Sequence, residues 1–97
     1  MTDTINVLAE TNTWEYNHLK AAEELMELAE VLLKKVNKRG GEKEPPKQAV
    51  VDELGDVVIR VEILTKMYGP SKVKERVQEK LDRFNDHIMN KKYIGKI

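Results

Sequence analysis

The sequence predicts an all-α fold, a bundle of four to five helices completed by oligomerisation. Apolar residues recur at spacings of three and four, and no alternating run of the kind a half-buried strand needs is present. Glycine and proline fall only at Gly40-Gly41, Pro45-Pro46, Gly55, Gly69-Pro70 and Gly95, which cuts the chain into a few long segments. The whole sequence is 97 residues, one small domain, yet the segment from Pro46 to Tyr68 is apolar nearly all round. A chain this short buries too little surface to cover such a helix alone, so at least a homodimer, dimer or tetramer, is expected.

Each element has a local reason. A short first helix is expected over about Thr4 to Thr11. The second starts near Trp14, where Asn12 and Glu15 have capping-box spacing. It runs to about Lys38, and Lys34, Lys35, Lys38 and Arg39 suit the negative end of its dipole. Pro46 is acceptable as the first residue of the third helix, which continues to about Tyr68. Ser71 is the expected cap of the fourth, whose Val73, Val77, Leu81, Phe84 and Ile88 form one narrow apolar stripe. Residues 91–97 are expected to be a flexible tail.

Composition excludes several functions. Lysine plus arginine and aspartate plus glutamate each number 17, so the formal charge is zero and the basic excess of a nucleic-acid binder is missing. There are no cysteines, which removes disulfides, thiolate zinc sites and thiol nucleophiles together. No apolar run reaches the roughly 18 residues of a membrane span, and the first ten residues have no basic signal-peptide region. A cytoplasmic protein with no membrane or nucleic-acid partner is the expectation.

The chemistry concentrates in two acidic groups. Glu23, Glu24, Glu27 and Glu30 crowd the second helix; Asp52, Glu53 and Asp56 crowd the third. Glu24 with Glu27, and Glu53 with Asp56, stand one helical turn apart. Two antiparallel helices would bring both pairs into one oxygen-rich site suited to Mg2+, with Mn2+ as an alternative. On the second helix the plainer reading is a solvated acidic face. Leu19, Ala22, Leu25, Met26, Leu28, Ala29, Leu32, Leu33 and Val36 fill one arc of the wheel, and Glu24 and Glu27 lie at its border.

The third helix is more informative. Glu53 projects between Ala49 and Met67 on one side and Val57 and Leu64 on the other, and Asp56 lies between Ile63 and Met67. Acids that interrupt an apolar surface must be paired or bind a cation. Arg60 lies between them on the wheel and is their structural partner, but one arginine cannot neutralise them all. Gly55 costs about 1 kcal/mol in a helix interior, so close approach of another helix is expected there. His18 and His87 form no E-x-x-H pairing, which sets a ferritin-type di-iron site aside.

Glu23-Glu24-Leu25-Met26-Glu27-Leu28, followed by Asp52-Glu53-Leu54-Gly55-Asp56-Val57 and then Glu62, resembles the double motif of the MazG-like nucleotide pyrophosphohydrolases. The resemblance runs from about Trp14 to Ile88 and is strongest toward short phage-type members. It implies that Glu24, Glu27, Glu53 and Asp56 are the catalytic, Mg2+-binding acids. It further implies hydrolysis of nucleoside triphosphates, foremost deoxynucleoside triphosphates, to a monophosphate and pyrophosphate. Lys20, Arg60, Lys80 and Arg83 are candidates to hold the phosphates, and Asn17 to read the base or sugar. Trp14 is a candidate base-stacking residue, although a tryptophan at a helix start is more often a packing anchor. The competing readings are a non-catalytic helical interaction module, whose acids form a salt-bridge network with Arg60 and lysines, and a family member that binds without turnover.

Overall fold

Thr13 has an extended backbone (φ −66°, ψ 157°), and its side-chain oxygen accepts a hydrogen bond from the Tyr16 N–H at 3.1 Å. It thereby caps α2, Trp14–Asn37. The start of the helix is where the sequence places it, but the capping box of Asn12 and Glu15 does not form. A cap must be the extended residue directly before the first helical turn, and that residue is Thr13. Asn12 instead occupies the corner after α1, Thr2–Thr11, where its Nδ2 donates to Asn17 Oδ1 at 3.3 Å.

This computed structural model describes residues 2–90, and two more helices complete it: α3, Lys47–Tyr68, and α4, Pro70–Met89. No strand occurs among the described residues, so the chain is all-α. The expected tail at 91–97 lies outside them. None of these helices is long and apolar enough to cross a membrane.

The chain divides into two compact units at Met67 and Tyr68. In the first, α2 and α3 run antiparallel. Glu24 and Glu27 meet Glu53, Tyr16 meets Arg60, and Asn17 meets Met67, so partners on α3 advance as those on α2 retreat. The turn between them is tied by Lys35, whose ammonium pairs with the Glu44 carboxylate and donates to the Pro45 carbonyl at 2.9 Å. Gly40, at φ 78°, turns the chain in a left-handed conformation that glycine adopts freely, and its N–H donates to Glu44 Oε1 at 2.7 Å.

The interior of this unit is small: Ile5 from α1, Ala21 from α2, and Val57 and Ile63 from α3. Asn17 is buried among them with 1% of its surface exposed. Its Nδ2 faces the Leu8 carbonyl and the Met67 sulfur, each at 3.4 Å, so one amide ties α1, α2 and α3 together.

The side of α2 that packs inward is therefore Asn17, Ala21 and Glu24, with Leu28, Val31 and Lys35 half-buried along the same line. The leucine-rich arc of the wheel points away from it: Leu19 is 70% exposed and Val36 73%, with Leu25, Met26, Leu32 and Leu33 between them. On α3, Val51, Leu54, Val58, Ile59 and Val61 are exposed as well. A Cβ added at Gly55 would meet nothing within 4 Å. The close helix approach expected at Gly55 is not made within this chain, because that residue sits on the outward side of α3.

The second unit contains α4, none of whose residues is buried. Gly69 precedes it at φ 112°, and Pro70 starts the helix. The fixed φ of proline suits the first helical position, so the helix begins before Ser71, which does not cap it.

Candidate metal centre

Helical spacing puts Glu24 and Glu27 on one side of α2, and the antiparallel turn carries Glu53 of α3 to the same level. One carboxylate oxygen from each of the three lies within 4.8 Å of the other two. Glu24 is only 7% exposed; Glu27 and Glu53 are half-buried. Three like charges at this range repel one another. The Glu27 carboxyl is held above the ordinary glutamate value, chiefly by the charge of Glu24, with burial and Glu53 adding to it. Glu53 is also raised, first by burial and then by the charges of Asp56 and Glu24.

The compensating groups present are few. Lys20, one turn before Glu24, places its Nζ 3.3 Å from Glu24 Oε1 and 3.4 Å from Glu23 Oε1. The bond to Glu24, and then the charge of Glu23, raise the Lys20 ammonium above its usual value. The second oxygens of Glu24 and Glu53 are buried and have no hydrogen-bond partner. A buried, unpartnered carboxylate oxygen is costly. Hard oxygen donors converging from two helices, two of them orphaned, fit a cation of the Mg2+ or Mn2+ type.

The remaining sequence-predicted residues are placed differently. Asp56 follows Glu53 by one turn and lies close enough to act on it electrostatically, but it is exposed and outside the cluster of three. The wheel set it between Ile63 and Met67; Ile63 is buried, whereas Asp56 is exposed. Arg60 does not pair with Glu53 or Asp56. Its guanidinium lies over the Tyr16 ring, 5.9 Å from the centroid, and its buried Nη1 has no hydrogen-bond partner. Tyr16 was not singled out from the sequence; its position one turn before Lys20 on the same side of α2 was the available signal.

Asn17 is closed off by the helix junction, and its amide is already engaged. Trp14 is exposed and lies against the His18 ring with centroids 3.9 Å apart. Lys80 and Arg83 lie on α4 in the second unit, where Lys80 Nζ sits 5.8 Å from the centroid of the Phe84 ring and Arg83 is exposed. Comparison of the chain with protein-family models, curated proteins and solved structures finds no significant match.

Proposed function

We propose that the chain is a Mg2+-dependent nucleoside triphosphate pyrophosphohydrolase of the MazG-like kind, acting as a homo-oligomer. One observation carries the reading: Glu24, Glu27 and Glu53 converge from two helices with the second oxygens of Glu24 and Glu53 buried and unpartnered. Those three carboxylates would hold the metal, with Asp56, exposed one turn after Glu53, completing the set. Bound there, Mg2+ supplies positive charge against the phosphates and acidifies the attacking water. The chain's own contribution is to keep the acids within reach of one another and half-shielded from solvent. Lys20 stands beside them, and Arg60 offers a buried guanidinium N–H that lacks an acceptor. Its fixed positive charge favours a phosphate nearby.

The exposed apolar faces of α2 and α3 are what a second copy of the chain would cover in the oligomer. The salt-bridge-module alternative is weakened by Arg60, which pairs with no acid among the described residues. The test is pyrophosphate release from a panel of ribo- and deoxynucleoside triphosphates, with Mg2+ and with chelator. Release that needs Mg2+ and yields the monophosphate supports the enzyme; no release from any nucleotide rejects it.

A further inference from the structure

We infer that Lys20 is an internal counterion that a divalent cation displaces, so that cation binding frees an ammonium group to bind a phosphate anion beside it. This deepens the metal-centre reading and rests on it. Lys20 bridges two acids, Glu23 and Glu24, and its contact with Glu24 reaches one of the three carboxylates of the cluster. Glu24 is the most buried of them. A cation drawing Glu24 into its coordination shell takes away an acceptor of the lysine and sets a double positive charge near the ammonium. Both effects drive Lys20 off the cluster. Its flexible stem then leaves the ammonium free on the side of α2 where Tyr16, one turn earlier, meets Arg60. The Arg60 guanidinium, over the Tyr16 ring one turn before Lys20, adds positive charge to that side. Metal and anion should therefore bind with positive cooperativity, each raising the affinity for the other by the same factor.

The device has a signature that a simple metal site lacks. Removing the lysine should tighten metal binding in the absence of anion, because a competitor for Glu24 is gone. Mn2+ binding is measured by electron paramagnetic resonance of the free ion, for the native chain and for Lys20→Met and Lys20→Gln. Each titration is run with and without excess inorganic phosphate. Both variants should bind Mn2+ alone about three- to tenfold more tightly than the native chain. Phosphate should tighten Mn2+ binding to the native chain and have little effect on either variant. Lys34→Met, which removes the Lys34–Glu30 pair one turn beyond Glu27, should leave Mn2+ affinity unchanged.

Unchanged or weaker Mn2+ binding in both Lys20 variants, alongside clear binding by the native chain, overturns the displacement and leaves the metal centre standing. An equal gain in Lys34→Met reduces the effect to net charge and overturns it too. Absence of Mn2+ binding by the native chain overturns the metal centre and this inference together.

Discussion

Replacing Glu53 by glutamine removes a charge and keeps the shape of the side chain. Glu53→Gln should abolish Mg2+-dependent pyrophosphate release, while the metal-free protein melts at an unchanged or higher temperature because a repulsion is gone. A near-normal rate in this variant would exclude Glu53 as a metal ligand. The same crowding fixes a pH dependence. Glu27 and Glu53 hold their protons more tightly when folded than at the ordinary value of 4.5. Between 4.5 and those raised values the native state binds more protons than the unfolded one, so stability falls as pH rises. Below 4.5 the sign reverses, because Glu30 and Glu44 are held low by Lys34 and Lys35 and lose those pairs on protonation. With chelator present, the melting temperature should pass through a maximum on the acid side of neutrality, and a steady fall from pH 7 downward would contradict the crowding. Asn17 answers to a different cause. Its buried amide joins three helices, and Asn17→Ala should cost about 1–3 kcal/mol in urea unfolding by leaving the groups around it unsatisfied.

At the scale of elements, the α2–α3 hairpin is held at one end by Asn17 and at the other by the Lys35–Glu44 pair. The register of the two helices decides whether Glu53 faces Glu24 and Glu27 or slides past them. Glu44→Ala removes the carboxylate that engages Lys35 and the Gly40 N–H. It should lower stability by about 1–2 kcal/mol and speed hydrogen exchange at the Gly40 amide. Exchange at Gly40 as slow as in the native chain would show that the turn holds without it.

For the whole molecule, metal and assembly are the measurable consequences. A cation that binds the folded cluster and not the dispersed acids of the unfolded chain raises stability by mass action. The gain is about 2.7 kcal/mol at 100 times the dissociation constant. The melting temperature should rise saturably with Mg2+ and not with Na+ at equal ionic strength, and the rise should vanish in a Glu53→Gln, Asp56→Asn double variant. Assembly is the expectation from the outward leucines of α2 and valines of α3, which leave a large apolar surface in water. Sedimentation at micromolar concentration should give at least a dimer, and Leu25→Asp with Leu33→Asp should shift it toward the single-chain mass. A single-chain mass for the native protein would reject the oligomer.

Helix number, helix type and the approximate limits of each helix were legible in the sequence, because spacing of apolar residues and the placement of glycine and proline act locally. The pairing of Glu24 and Glu27 with Glu53 was legible too, since two acidic turns on neighbouring helices leave few ways to meet. The wheel could not tell which side of α2 packs within the chain. Hydrophobicity alone points to the leucine arc, yet the inward line runs through Asn17, Ala21 and Glu24, and Leu19, Leu25, Leu32 and Leu33 remain outside. An apolar arc does not announce whether it packs within its own chain. The same limit left Asp56 exposed outside the cluster and turned Arg60 from the acids to Tyr16. Sequence by itself determined the elements and marked three acids that converge, Glu24, Glu27 and Glu53, together with Asp56, which stays outside their cluster. Tertiary structure decided which of them face one another, because that depends on the register and rotation of α2 against α3, tied by Asn17 at one end and by the Lys35–Glu44 pair at the turn.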